Sequence, residues 1–271
     1  MTHGRADIGR LLERHGLAPR RSRGQNFVAD ANTVRRVARL AGVGDGDRVV
    51  EVGPGLGSLT LALAETGASV LAIEIDDGLV TALHEIVAGI ATVEVVHADA
   101  MRFDWSTLQT TSSDWHLIAN LPYNIATPLV ADLLDRAPWV RHLLIMVQRE
   151  VADRLVAAPR SEAYGAVSVK VAHWAEARIV GEVPATVFVP RPNVESALVE
   201  IHRRPVPASD VDPDALFSLV RAGFAQRRKM LRRALASHVK PDAFVVAGID
   251  PQRRAEELDV TEWARLAEAS Q

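Results

Sequence analysis

The chain has 271 residues, 48% of them hydrophobic and 24% charged, proportions of a folded globular protein that set aside disordered tails and collagen-like repeats. It contains no cysteine, which excludes disulfides, thiolate metal sites and cysteine nucleophiles, and its net charge of −3 excludes a uniformly basic nucleic-acid coat. No apolar run approaches the ~18 residues of a membrane span, and Met1–Arg10 carries charge where a signal peptide needs an apolar stretch, so a cytoplasmic protein without a membrane partner is expected.

In chain order, the first clear element is a strand at Val49–Val52, closed by Gly53-Pro54-Gly55-Leu56-Gly57 and followed by a helix over Ser58–Glu65. Further strands are predicted at Ser69–Ile75, Val93–His97, Leu117–Ala119 and Leu143–Val147, with helical spacing between them at Leu79–Val87 and Pro128–Leu134. Gly165–His173 reads as a helix, and Arg178–Val183 and Val194–Ile201 as the last strands. Strands alternating with helices predict an α/β fold with a doubly wound, mostly parallel sheet. After Arg203-Arg204-Pro205-Val206-Pro207 the spacing turns helical, with caps at Asp214 and Thr261, which predicts a small C-terminal helical domain. The expected division is an N-terminal extension over residues 1–20, a catalytic domain over 21–203 and a helical domain over 204–271.

Three glycines in the turn at Gly53, Gly55 and Gly57 let the backbone approach a ligand closely. The dinucleotide pattern G-x-G-x-x-G is broken, because Ser58 stands where its last glycine belongs. Glu51, just ahead of the turn, would repel a pyrophosphate, so a nucleoside without phosphates fits better. Glu74 ends the second strand at the spacing of an acid that accepts from ribose hydroxyls, and Asp99 ends the third, where it can accept from an adenine amino group. Open α/β sheets bind ligands beyond the carboxyl ends of their strands, so all three features face one crevice.

Asn120-Leu121-Pro122-Tyr123 follows the fourth strand and opens on that crevice. The Asn120 side-chain oxygen and the Leu121 carbonyl can each accept one N–H of an exocyclic amine, which frees a lone pair otherwise delocalised into the ring. Pro122 fixes the backbone between the two acceptors, and Tyr123 offers a ring face for stacking. Amine methylation is the chemistry this suits, with protein amides as well as adenine left open as targets. Basic residues cluster at Arg20, Arg21 and Arg23, and again at Arg221, Arg227, Arg228, Lys229, Arg232 and Arg233, as solvated faces or as phosphate contacts.

From about Arg20 onward the chain resembles the ribosomal RNA adenine N6-dimethyltransferases that act on the small subunit. The resemblance rests on Gly24-Gln25-Asn26-Phe27, the glycine loop over Glu51–Thr60, NLPYNIATPL over Asn120–Leu129, Met146–Tyr164, FVPRPNVESALV over Phe188–Val199 and FAQRRKMLRRAL over Phe224–Leu235. It implies a Rossmann-like methyltransferase with S-adenosylmethionine as cofactor. Its implied substrates are two adjacent adenosines in a hairpin near the 3′ end of 16S rRNA, within an immature 30S subunit. By the same resemblance Gln25, Asn26, Val28, Gly53, Gly55, Glu74, Asp99, Ala100 and Asn120 would bind the donor. Asn120, Leu121, Pro122 and Tyr123 would hold the target amine, and Phe188 would close over a flipped base. The second basic cluster then reads as a phosphate-contacting helix. Arg23, Asn193 and Met230 depart from the family pattern, which blurs RNA contacts more than catalysis. A monomer without a resident metal is expected. The alternatives are a large-subunit rRNA adenine methyltransferase of the macrolide-resistance type, a non-catalytic RNA-binding assembly factor, and a DNA or protein amide methyltransferase.

Overall fold

The computed structural model describes residues 2–20, 24–109 and 114–271; Arg21 and Arg23 of the first basic cluster lie outside the described residues. Two compact units emerge, one of residues 1–152 with 178–202, the other of 153–177 with 203–271.

The first unit is built on a seven-stranded sheet whose strands are β2 (Arg48–Val52), β3 (Ser69–Glu74), β4 (Val93–His97), β5 (Trp115–Asn120), β6 (Val140–Gln148), β7 (Ala175–Val183) and β9 (Ser196–Arg203). Their spatial order is β4-β3-β2-β5-β6-β9-β7. Pairing is parallel from β4 through to β6, and β9 joins β6 antiparallel. The central strands are apolar runs because both faces are covered: Val49, Val50, Leu117, Ile118, Leu143 and Leu144 are each 0% exposed. A short antiparallel pair, β1 (Phe27–Val28) with β8 (Phe188–Val189), stands apart from this sheet.

Helices α2 (Ala31–Ala41), α3 (Ser58–Ala64), α4 (Asp77–Ile86) and α5 (Ala126–Arg136) connect the strands, and α6 (Arg149–Val156) follows β6. Asp30 caps α2 by accepting from the Thr33 N–H at 2.9 Å, and Gly42 ends it in a left-handed conformation. Asp76 caps α4 through the Gly78 and Leu79 N–H groups. Chain order reverses between β2 and β5, which opens a crevice at the carboxyl ends of these two strands.

Residues ahead of the first strand form a helix, α1 (Arg5–Arg14). Ile8 and Leu12 of α1 pack with Phe27, Leu56, Leu79 and Ala82, so the segment expected to be an extension supports the glycine turn from behind.

The helical unit contains α7 (Ala166–Trp174), α8 (Pro213–Ala225), α9 (Leu231–Ala234), α10 (Pro241–Ala247) and α11 (Val260–Glu268). It is discontinuous in sequence, taking in residues 153–177 that the sequence analysis assigned to the catalytic domain. The cause is packing: Tyr164 and Val169 are buried with Leu216, Phe217, Val220 and Trp263, and the Tyr164 hydroxyl donates to the Leu258 carbonyl at 2.9 Å. The caps also move from their expected places. Asp212 rather than Asp214 caps α8, because Pro213 occupies the first helical position, and Asp259 rather than Thr261 caps α11.

The Arg227–Arg233 run is not one helix. Residues 226–228 form a turn, Met230 caps the four-residue α9, and the Leu231 and Arg232 N–H groups donate to the Arg253 and Pro251 carbonyls.

Candidate active site

The crevice holds a cavity lined by Gln25, Asn26, Val28, Glu51, Gly53, Gly55, Glu74, Asp99, Ala100, Asn120 and Pro122. All nine residues expected to bind the donor are therefore brought to one place. Among the described residues, no lysine or arginine lines it, which suits a ligand without phosphates.

The glycine turn shapes the cavity through backbone conformation. Gly55 has φ +58, and a Cβ there would lie 2.8 Å from Phe27 Cε1; Gly53 has φ +70, with Pro122 Cγ and Cδ at 3.2 Å from its Cβ position. Gly55→Ala is thus strained twice over, by its backbone and by a ring that helps to wall the cavity. Its expected result is a donor Kd raised by at least about tenfold with the fold retained, measured by calorimetry beside circular dichroism. Wild-type affinity would show that the turn tolerates a side chain.

Glu74 ends β3 with 5% of its surface exposed. Its Oε2 accepts from the Gly55 N–H at 3.1 Å, and Oε1 accepts from the Ile75 and Asp76 N–H groups at 2.9 and 3.0 Å. Burial pushes the carboxyl above its ordinary range, against the pull of these three donors. The carboxylate is fixed in orientation at the cavity wall, as an acceptor for hydroxyls must be. Asp99 accepts from the Met101 N–H at 2.9 Å through Oδ1, with Arg102 Nε 3.9 Å from Oδ2. Gln25 accepts from the Arg20 N–H at 2.8 Å.

Glu51 is 1% exposed, and burial raises its carboxyl to about 8. The Thr60 hydroxyl donates to Glu51 Oε2 at 2.6 Å. The folded chain keeps this group protonated at neutral pH, so it carries no charge to repel a pyrophosphate as the sequence reading expected, whereas unfolding returns it to its ordinary 4.5. Between those values the native state binds more protons than the unfolded state, so stability falls as pH rises from about 4.5 to about 8, then levels off. Glu51→Gln keeps the shape and removes the titration. Its melting temperature is expected to exceed that of the wild type by a margin that is absent near pH 4.5 and grows up to about pH 8; a constant margin would show that Glu51 does not titrate in this window.

Asn120, the last residue of β5, donates from Nδ2 to the Asn26 backbone carbonyl at 3.0 Å. That bond assigns the two ends of the carboxamide and leaves Oδ1 as an acceptor. The next residue, Leu121, has its side chain buried at 1% exposure and its N–H donating to the Met146 carbonyl at 3.1 Å, which anchors the peptide that carries the second acceptor. Gly24, with φ +64, packs 3.1 Å from the Tyr123 nitrogen at its Cβ position, so the Gly24–Phe27 segment holds the NLPY turn from the other side.

Tyr123 lies outside the cavity lining and is partly buried, its hydroxyl 3.3 Å from Ser196 Oγ. Burial raises the phenol above its ordinary value. Phe188 is placed differently from expectation: it is 0% exposed and packs with Val28, Val34, Met146 and Leu198. Pairing of β8 with β1 turns its ring into the core, so closure over a base is not its role in this conformation.

Of the basic cluster, Arg221, Arg228, Lys229, Arg232 and Arg233 are exposed. Arg227 is engaged within the protein, with Nε donating to Glu256 at 2.6 Å and Nη2 to the Glu162 carbonyl at 2.7 Å. Sequence reasoning gave no ligand role to Ile75, 47% exposed at the cavity wall, and named the buried Phe27, Leu56 and Ser58 only within their motifs. An apolar residue directly after an acidic strand end was the available signal for Ile75.

The sequence model of the family described as Ribosomal RNA adenine dimethylase matches residues 16–271. The chain is 50% identical to a ribosomal RNA small subunit methyltransferase A of Cutibacterium acnes over 97% of this chain and 93% of that one. A protein of the same name from Thermobifida fusca is 47% identical over 97% of this chain and 94% of its own. Among solved structures, a dimethyladenosine transferase from Plasmodium falciparum superposes with a TM-score of 0.71 at 22% identity, covering 88% of this chain and 94% of that one. The 23S rRNA methyltransferase ErmE gives 0.66 at 26% identity, over 90% of this chain and 99% of its own.

Proposed function

The chain belongs to the ribosomal RNA adenine dimethylase family, and from that premise we propose that it dimethylates the N6 amines of two adjacent adenosines in a hairpin near the 3′ end of 16S rRNA. S-adenosylmethionine, when bound, supplies a methyl group on a positively charged sulfur. The cavity chemistry fits such a donor: a fixed carboxylate at Glu74 for ribose hydroxyls, Asp99 for the adenine amine, apolar walls, and no basic residue for phosphate among the described residues. Gln25, Asn26, Val28, Gly53, Gly55, Ala100 and Asn120 would complete the donor site.

The observation that carries the reading is the Nδ2 bond from Asn120 to Asn26, which commits the donor end of the carboxamide within the protein and leaves Oδ1 to accept, one residue ahead of the Leu121 carbonyl in the chain. Two acceptors on consecutive residues suit the two N–H bonds of an aromatic amine. By withdrawing those protons from the ring plane they favour a tetrahedral nitrogen with its lone pair available. Holding the amine in line contributes several kcal/mol to lowering the barrier. Tyr123 would offer a stacking surface to the base at about 1–3 kcal/mol. An adenine in a hairpin loop is among the least costly bases to extrude.

The exposed Arg221, Arg228, Lys229, Arg232 and Arg233 are assigned to RNA phosphates in this reading. Arg228→Ala combined with Arg232→Ala is expected to reduce the slope of log K against log salt by about 1.5, measured by filter binding. An unchanged slope would return both side chains to plain solvated surface. The reading includes an incompletely assembled 30S subunit as substrate and a cytoplasmic monomer as enzyme. No helix among the described residues is long and apolar enough to cross a membrane.

Primer extension across both rRNAs from a strain lacking the protein tests the assignment, because dimethylated adenines stop reverse transcriptase. Loss of the stop at two adjacent adenosines near the 3′ end of 16S rRNA is expected. A stop lost only from 23S rRNA would move the enzyme to the large subunit.

A further inference from the structure

Three neighbouring strands carry a row of histidines near the end of the sheet remote from the donor cavity. His116 on β5 is the register partner of His142 on β6, which is in turn the partner of His202 on β9. Glu200 lies two residues before His202 and so shares its face. His142 is four residues upstream of Met146, the register partner of Asn120, which puts the row roughly 13 Å along the strand from the catalytic turn.

We propose that His142 Nε2, His202 Nε2 and Glu200 Oε1 form a binding site for a divalent transition-metal ion of the zinc class, tying β6 to β9. Glu200 Oε1 lies 3.5 Å from His142 Nε2 and 3.3 Å from His202 Nε2, and the three ligand atoms all fall within 4.8 Å of one another. Tetrahedral zinc, with bonds of about 2.0–2.2 Å to nitrogen and oxygen, has ligand–ligand edges of about 3.3–3.6 Å. The nitrogen–oxygen separations match those edges and are longer than good hydrogen bonds.

His142 supplies the independent observation. The residue is 7% exposed, and its Nε2 has no hydrogen-bond partner although it faces a carboxylate. Its Nδ1 lies 3.3 Å from His116 Nδ1. If His142 donates across that contact, its Nε2 presents a lone pair to Glu200, an arrangement that a cation between them makes favourable.

Arg178 donates from Nε and Nη2 to Glu200 Oε2 at 2.7 and 2.6 Å, which orients the carboxylate and leaves Oε1 for the ion. The His142 and His202 rings stack at 4.5 Å and 8°. Directing both Nε2 lone pairs at one ion requires a tilt of His202, whose side chain is 57% exposed. The same exposure gives a water access to the fourth position.

The test is calorimetric titration of zinc chloride into the chelator-treated full chain at pH 7.5, with cobalt(II) absorption as a second readout of the ligand field. One equivalent is expected to bind, with a tetrahedral cobalt band. His202→Ala and Glu200→Gln should each weaken binding at least about tenfold. His238→Ala, in the other unit, should leave it unchanged. Circular dichroism of His202→Ala separates loss of the site from loss of the fold. Absence of stoichiometric binding by the wild type, or equal affinity in well-folded His202→Ala, would overturn the proposal.

Discussion

Asn120→Ala is expected to lower kcat for methyl transfer by about 10²–10³, the usual effect of removing one preorganised group from a transition-state site. The donor's Kd should rise by less than about tenfold, since one neutral hydrogen bond contributes about 0.5–1.5 kcal/mol. The split follows from geometry. Asn120 is tied to Asn26 at 3.0 Å through Nδ2, so the carboxamide is held before any substrate arrives. Alanine removes the acceptor and also leaves the Asn26 carbonyl without that donor, while Glu74 and the glycine turn keep their own bonds. Single-turnover kinetics on rRNA fragments, run beside donor calorimetry, measures both quantities. Near-normal kcat would remove Asn120 from the chemistry.

Glu74→Ala should produce the opposite division, raising the donor's Kd by about 10²-fold, because hydrogen bonds to a charged group contribute about 1.5–3 kcal/mol each. Its carboxylate is also the common acceptor for three backbone N–H groups, including that of Gly55. Alanine therefore loosens the turn as well as removing the ribose contact. Glu74→Gln distinguishes the two effects, since it keeps an oxygen acceptor and gives up the charge. An intermediate loss of about tenfold is expected for it, with the apo melting temperature following the backbone contribution separately. An unaltered Kd in both variants would exclude a ribose contact at Glu74.

How much of this could be read in advance depended on whether a residue's role was local. Val49, Val50 and Val52, like Leu143–Val147, are apolar because the central strands are covered on both faces, and the glycines at 53, 55 and 57 adopt positive φ, so strand, turn and helix were legible together. Glu74 and Asn120 each end a strand and Asp99 follows the end of β4 by two residues, and the rule for open sheets brings all three to one crevice. What escaped was tertiary. Residues 153–177 sit in sequence between β6 and the rest of β7, and only the burial of Tyr164 and Val169 against Trp263 and Phe217 assigns them to the helical unit. Phe188 looked available to a ligand until its pairing beside Phe27 and Val28 turned it inward. The Asn26–Asn120 bond spans 94 residues, and His142 meets His202 only through strand register, so neither leaves a spacing signature. Arg227 reads as one charge among six, yet its partners Glu256 and Glu162 are distant in sequence.

The central claim is that two oxygens on consecutive residues hold the target amine. A crystal structure with a non-reactive donor analogue and adenosine bound tests it most directly. The account predicts Asn120 Oδ1 and the Leu121 carbonyl both at about 2.7–3.2 Å from N6, with the Tyr123 ring over the base. An adenine whose N6 meets neither oxygen, with the Asn120 carboxamide turned away and Tyr123 still directed at Ser196, would contradict it.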